Sequence, residues 1–148
     1  MAVQDEYVYE WPRAMVTVDA LLFAECGERV SVLLIRRGNE PYKGLWALPG
    51  GFLEMDEELE AGAARELFEE TGIEGIELKQ MHTFGTVGRD PRGRMITIVY
   101  TATLDEEVES KAGDDAAEAR WFDVKNLPEL AFDHGKVFEM GINFNKLS

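Results

Sequence analysis

The chain has 148 residues, 45% of them hydrophobic and 30% charged, with a net charge of −14 from 29 acidic and 15 basic side chains. That balance belongs to a globular domain and excludes disorder, collagen-like repeats and disulfide scaffolds. So acidic a surface repels nucleic-acid backbones, and a small phosphorylated ligand must dock on a local Arg/Lys cluster or on a metal cation.

The expected organisation is one domain over residues 1–148, with 1–13 as an N-terminal arm that is polar and acidic and lacks a signal-type apolar run. No stretch has the roughly 20 apolar residues that span a bilayer, so neither a membrane nor a nucleic acid is an expected partner. Cys26 is the only cysteine, which fits a reducing compartment, and the cytoplasm is the expected location. Val16 to Phe23 reads as a strand, Cys26-Gly27-Glu28 as a turn, and Val30 to Ile35 as a strand buried on both faces. Residues 37–44 carry turn signals, and Leu45 to Leu48 is a short extended piece ending at Pro49-Gly50-Gly51. Glu57 to Thr71 is the clearest helix, with Asp56 as its cap, acidic residues in its first turn and Gly72 at the C′ position. Ile76 to Phe84 and Met95 to Leu104 read as the arms of a β-hairpin with Asp90-Pro91-Arg92-Gly93 at its tip. Asp105 to Asp114 reads as surface loop, Ala119 to Val124 as a short strand and Phe132 to Ile142 as a last helix. Strands interleaved with two helices point to an α/β fold with a mixed sheet covered on both faces.

The long helix holds an anomaly. Glu66, Glu69 and Glu70 stand at i, i+3 and i+4, on one arc of the helix, and Glu66 and Glu70 continue the stripe of Leu59 and Ala63. Like charges at this spacing destabilise a helix, and burying them unpaired costs more. Something cationic must offset them. Arg65 can pair with one carboxylate, and a hard divalent cation such as Mg²⁺, which prefers oxygen ligands, can bridge others. The glycines just before the helix let backbone approach an ion closely and offer carbonyl ligands. Read without the glycines, the same glutamates are an ordinary solvated face.

Gly51, Glu57, Arg65-Glu66-Leu67, Glu69-Glu70 and Gly72-Ile73 match the Nudix box at every defined position. Trp46-Ala47-Leu48-Pro49-Gly50 resembles its usual lead-in, Val30 to Leu34 the strand before it, and Ala119-Arg120-Trp121-Phe122 a later strand, so the resemblance covers most of the chain. It implies the Nudix α/β/α sandwich, with the box as loop–helix–loop, and divalent-metal-dependent hydrolysis of a nucleoside diphosphate linked to another moiety. By position, the Gly50 carbonyl and the carboxylates of Glu66, Glu69 and Glu70 would hold Mg²⁺, with Mn²⁺ as a substitute. Glu57 would support the site and Arg65 would orient the glutamates. The metal would neutralise the diphosphate and acidify a water that attacks one phosphorus in line. The general base stays open between Glu66 or Glu70 and an acid from a later loop: Asp114, Asp115 or Glu118.

Gly88 to Arg94 and Leu130 to His134 resemble the corresponding segments of ADP-ribose pyrophosphatases, which makes ADP-ribose, cleaved to AMP and ribose 5-phosphate, the favoured substrate. Arg89, Arg92 and Arg94 could place guanidinium forks on phosphate, or form a solvated turn. Phe84, Tyr42 or Trp46 could stack on adenine or simply pack, and Asp115 joins the expected substrate contacts. His82 and His134 are too isolated for a metal site, and His134 is expected to cap or pack. The alternatives are hydrolysis of oxidised nucleoside triphosphates or of dinucleoside polyphosphates, and a non-catalytic ADP-ribose-sensing module. A homodimer, with Tyr7, Tyr9 and Trp11 of the arm reaching a partner, is compatible with the sequence.

Overall fold

A computed structural model describes residues 6–113 and 116–147. Seven strands form one mixed sheet: β1 (Met15–Cys26), β2 (Arg29–Arg37), β3 (Trp46–Ala47), β4 (Gly50–Phe52), β5 (Lys79–Phe84), β6 (Met95–Leu104) and β7 (Ala116–Asp123). Two helices, α1 (Leu59–Thr71) and α2 (His134–Phe144), complete the fold.

β1 organises the sheet. One edge runs parallel to β6 along its length, Met15 opposite Met95 through Ala24 opposite Leu104. The other edge is shared. Its C-terminal part pairs with β2 from Phe23 to Cys26, while Thr17 to Asp19 pairs with β4. β2 in turn pairs with β7 from Ser31 to Arg37 and with β3 at Ile35 and Arg36. β1 and β2 therefore touch only near their shared turn, and beyond it the short strands β3 and β4 lie between them. The turn joining those short strands, Leu48-Pro49, is held by Ala20 N–H donating to the Pro49 carbonyl at 2.8 Å. It carries Gly50-Gly51 into the middle of the sheet.

Alternation along β1 divides the core. Val18, Ala20 and Leu22 face α1 with Ala63 and Leu67, whereas Leu21 and Phe23 face α2 with Val137. Both sides of the strand are fully covered, which gives three layers, α/β/α. β2 is likewise buried on both faces from Val30 to Ile35. No helix among the described residues is long and apolar enough to cross a membrane.

Several boundaries differ from the sequence expectation; β7, for instance, begins at Ala116 rather than Ala119. α1 starts at Leu59 rather than Glu57, and its N-cap is Glu58 with no side-chain capping bond, so Asp56 does not cap it. The physical reason is that Glu57 is drawn away from the helix start by Arg65 and by the Glu54 N–H. β5 begins at Lys79, although Leu78 just before it is buried against the α1 core. α2 begins at His134, because Phe132 adopts a left-handed conformation (φ 53°) that no helix interior accepts. At the far end of α1, Gly72 has φ 75° and its N–H donates to the Phe68 carbonyl, as the C′ reading requires. The arm is open: Tyr7, Val8, Tyr9 and Trp11 are all exposed, with Tyr7 and Tyr9 stacked.

Candidate functional site

The acidic face of α1 is assembled by one guanidinium. Arg65 grips Glu57 with two bonds, Nε to Oε2 at 2.9 Å and Nη2 to Oε1 at 2.7 Å. Its Nη1 donates to Glu66 at 2.9 Å and to Glu69 at 3.1 Å, and Nη2 also reaches the Phe52 carbonyl at 3.1 Å. Hydrogen bonding to Arg65 holds the Glu57 carboxyl below its ordinary range, and the carboxylates hold Arg65 firmly charged. Glu66 moves the other way: burial raises it, against the pull of Arg65. Glu70 is buried and has no cation in contact. Burial, with the charges of Glu66 and Asp19, pushes it up to about 9, although the Gly50 N–H donates to its Oε1 at 3.1 Å.

Glu66 and Glu70 converge on the Gly50-Gly51 turn. A Cβ at Gly51 would stand 2.6 Å from Glu66 Oε1, and one at Gly50 would collide with the Asp19 carboxylate and the Val18 carbonyl. Only glycine permits this approach. Asp19 is itself a buried acid on β1, accepting a hydrogen bond from Thr97 on the neighbouring β6. Burial raises its pKa against the opposing influence of His134, Thr97 and Arg89.

Among the described residues no three His, Cys, Asp or Glu side chains stand as a preformed metal cage. Glu57, Glu66 and Glu69 are bonded to Arg65, whereas Glu70 accepts only the Gly50 N–H among the hydrogen bonds of the described residues. Two neighbouring carboxyls whose pKa values burial raises mark a site short of positive charge. The donor set of carboxylates and a glycine carbonyl is wholly oxygen, which suits a hard divalent cation. The residues therefore fit such an ion.

These groups line a cavity of about 810 Å³ together with Arg37, Arg89, Arg92, Phe132 and His134. Arg89 is almost fully buried and forks onto Asp133 at 2.9 and 2.7 Å; Arg92 forks onto Asp90 at 3.1 and 2.8 Å. His134 accepts the Leu48 N–H on Nδ1 at 3.1 Å, and burial pushes its pKa down, so it is a neutral packing residue, as the sequence suggested.

The cavity unites Gly50, Glu66, Glu69, Glu70, Arg65, Arg89 and Arg92, with Glu57 behind them on Arg65. Five sequence expectations fall elsewhere, among them the stacking candidates Tyr42 and Trp46, which pack edge-on against Phe132 and Phe122 and do not line the cavity. Arg94 is turned to the Gly85 carbonyl at 2.6 Å and does not line the cavity. Phe84 packs into the α2 core, because its place on β5 points it at that layer. Glu118 lies within β7, paired with Arg120, and not on the cavity wall. Asp114 and Asp115 lie outside the described residues. Asp19, Arg37 and Phe132 were not foreseen. Asp19 had a signal: a lone acid inside the apolar run from Val16 to Phe23. Phe132 stood in the Leu130 to His134 run that resembles ADP-ribose pyrophosphatases but was read as the start of the last helix, and Arg37 read as the edge of a loop.

With this geometry in view, comparison with known proteins is informative. The NUDIX domain family matches residues 13–140. An ADP-ribose pyrophosphatase of Methanocaldococcus jannaschii is 47% identical over 108 residues, covering 73% of this chain and 63% of that protein. An ADPR responsive transcriptional repressor, NtrR, of Acinetobacter baylyi is 37% identical over 129 residues, covering 84% of this chain and 52% of the repressor. The chain thus spans between half and two thirds of the length of these relatives. In structure, the NUDIX domain of Shewanella oneidensis NrtR complexed with ADP ribose superposes with a TM-score of 0.84 at 33% identity, over 90% of this chain and 89% of that one.

Proposed function

The chain belongs to the Nudix family, and from that premise we propose that it hydrolyses the diphosphate bond of ADP-ribose to AMP and ribose 5-phosphate, with Mg²⁺ as the metal. The observation that carries this reading is the bipolar cavity. Its lining presents the carboxylates of Glu66, Glu69 and Glu70 together with the guanidinium groups of Arg37, Arg65, Arg89 and Arg92. A ligand that carries anionic charge and recruits a cation satisfies both kinds of group at once. The similarity to an ADP-ribose pyrophosphatase and to a domain seen with ADP ribose supports the choice of substrate.

In this reading Glu66, Glu69, Glu70 and the Gly50 carbonyl hold the cation. Bound there, it supplies charge neutralisation and Lewis acidity to the diphosphate. The chain's own residues do the rest. Arg65 fixes the glutamates, anchored by two hydrogen bonds that it donates to Glu57. The proton of the attacking water would pass to Glu66 or Glu70, or to Asp114 or Asp115, which lie outside the described residues; Glu118, bonded to Arg120, does not line the cavity. Arg89 and Arg92 bring positive charge to the substrate side, pre-set by Asp133 and Asp90.

The experiment is product analysis after incubation with ADP-ribose, an oxidised nucleoside triphosphate and a dinucleoside polyphosphate, each with Mg²⁺, with Mn²⁺ and with chelator. AMP and ribose 5-phosphate from ADP-ribose alone, dependent on the cation, is the expected result. Pyrophosphate released from the triphosphate in preference would overturn the substrate. A second reading, favoured by the likeness to the repressor, is an ADP-ribose sensor without turnover; ADP-ribose binding with no product would establish it instead. A homodimer formed through the exposed arm completes the proposal, and sedimentation of the chain with and without residues 1–13 tests it.

A further inference from the structure

We propose that His134 is a positioning residue for the cation site. Its Nδ1 takes the place of a backbone carbonyl at the end of a parallel ladder, and so sets the Leu48-Pro49-Gly50 turn that presents the Gly50 carbonyl. This rests on the reading of Gly50 and the box glutamates as cation ligands. It gives the first residue of α2, in the layer opposite α1, a part in that site.

Residues 129–131 run beside β3 as a short parallel partner, with Trp46 opposite Leu130. Two bonds close that ladder. The Trp46 N–H donates to the Glu129 carbonyl at 3.3 Å, and the Ala131 N–H donates to the Trp46 carbonyl at 2.8 Å. By the same repeat, the next rung would run from the Leu48 N–H to the Ala131 carbonyl. The chain instead turns away at Phe132, with φ 53°, and enters α2, where the His134 N–H donates to the Ala131 carbonyl at 3.1 Å. Leu48 is buried, and a buried N–H left without an acceptor is costly. The imidazole supplies the acceptor: the Leu48 N–H donates to His134 Nδ1 at 3.1 Å. His134 is itself buried, with its ring centroid 5.4 Å from that of Phe132, so the acceptor is not free to swing away.

This rung stands at the entrance to the turn. Three successive residues are then held by three different elements. Leu48 is held by His134 of α2, the Pro49 carbonyl by the Ala20 N–H of β1 at 2.8 Å, and the Gly50 N–H by Glu70 of α1 at 3.1 Å. Pro49 has no N–H of its own, so the Leu48 bond is the last donor contact before Gly50. A left-handed Phe132 is an energetic cost in a bulky residue, and it persists only where surrounding structure enforces it. Here it aims the imidazole at Leu48. Released at Leu48, the turn would pivot on its two remaining anchors. The Gly50 carbonyl and the Glu70 carboxyl bonded to the Gly50 N–H would then shift together. A partner that orients a metal ligand in this way tunes metal affinity without touching the ion.

The competing role is purely local: His134 would only fill space and tie α2 to β3. Two measurements separate the roles, on the full chain as wild type, His134→Asn, His134→Leu and Gly141→Ala. Asparagine and leucine have nearly the same shape, and only asparagine places an oxygen where Nδ1 stands. Gly141→Ala disturbs the same helix without touching the rung. Amide hydrogen exchange without metal reports on the turn. His134→Leu should exchange roughly 10-fold faster at both Leu48 and Gly50, whereas His134→Asn and Gly141→Ala should keep Gly50 protected. Mn²⁺ binding, followed by electron paramagnetic resonance with Glu66→Gln as the reference for ions bound elsewhere, reports on the site. His134→Leu should bind about 10- to 100-fold more weakly, and His134→Asn should recover most of that loss. Faster exchange confined to Leu48, or Mn²⁺ affinity unchanged in a folded His134→Leu protein, would overturn the proposal. So would equal losses in the asparagine, leucine and Gly141→Ala proteins. If Glu66→Gln binds Mn²⁺ as wild type does, the cation reading is what fails, and exchange at Gly50 alone decides whether His134 sets the turn.

Discussion

Gly51 and Glu66 occupy nearly the same space, and that contact is where stability and activity can be separated. A methyl group at Gly51 would stand 2.6–2.7 Å from the Glu66 carboxyl atoms. Those atoms are the far end of a flexible side chain, and Gly51 does not adopt a positive φ. Gly51→Ala should therefore change stability little, within about 0.5 kcal/mol as for most tolerated substitutions. The carboxylate must move aside, however, and displacement of a positioning group by about 1 Å costs on the order of 100-fold in rate. The expected result is a near wild-type thermal unfolding curve with kcat/KM for ADP-ribose reduced to about the level of Glu66→Gln. Full activity in Gly51→Ala would show that Glu66 need not sit under the turn. At this scale the box residues were legible because the whole residue pattern matches the Nudix box, whereas acids at helical spacing alone read as a solvated face. Arg37 and Phe132 were not, because what marks them is a place on the cavity lining or a backbone strained, and neither is written in one-dimensional order. Arg94 and Phe84 were assigned to the site by proximity along the chain, whereas β5 and β6 point successive side chains to opposite layers.

At the scale of elements, α2 illustrates how packing overrides propensity. Gly141 lies inside the helix, where alanine is intrinsically better by about 1 kcal/mol. A Cβ there would collide with Leu21 and press on Phe23, both fully buried. Overpacking of a core costs about 1–3 kcal/mol, so it wins, and Gly141→Ala should lower the unfolding temperature, by roughly 2–4 °C per net kcal/mol for a chain of this size. A raised melting temperature would mean that the helix can shift off β1. The start of the same helix makes a pH prediction. His134 is buried and its folded pKa is depressed, chiefly by desolvation. Between that value and about 6.5 the unfolded chain binds a proton that the folded chain refuses. Stability contributed by the neutral histidine is thus present above about 6.5 and is lost as pH falls below it. His134→Gln, which retains an acceptor for the Leu48 N–H, should show a shallower loss of stability from pH 7 to 5 in chemical denaturation, and an unchanged slope would refute the assignment. The sequence showed α1, β2 and β6 almost to the residue, since each has a clean apolar period or run. It ended an extended piece at Pro49 but missed β4, because a strand of three residues has no period; its existence depends on β1 and β2 parting.

The whole molecule carries a net charge of −14, and its cleft adds carboxyls that burial forces toward protonation. Removing that charge should therefore stabilise the cation-free protein: Glu66→Gln/Glu70→Gln, which relieves like-charge crowding on one helix face, should melt above wild type in chelator. Addition of Mg²⁺ should reverse the order. An ion that binds only the folded state stabilises by RT ln(1 + [L]/Kd), about 2.7 kcal/mol at 100 Kd, which corresponds to roughly 5–10 °C here. Generic screening of surface acids acts on both proteins alike, and matched monovalent salt removes it from the comparison. What remains, a Mg²⁺-dependent rise in wild type that the double variant lacks, belongs to the cleft. Equal rises in both proteins would place the cation elsewhere on the acidic surface. A cation-free wild type more stable than the double variant would show that Arg65 already satisfies the glutamates. The crossing of the two curves is the distinctive outcome, because it joins the cost of crowding acids at the end of α1 to the use that the proposed chemistry makes of them.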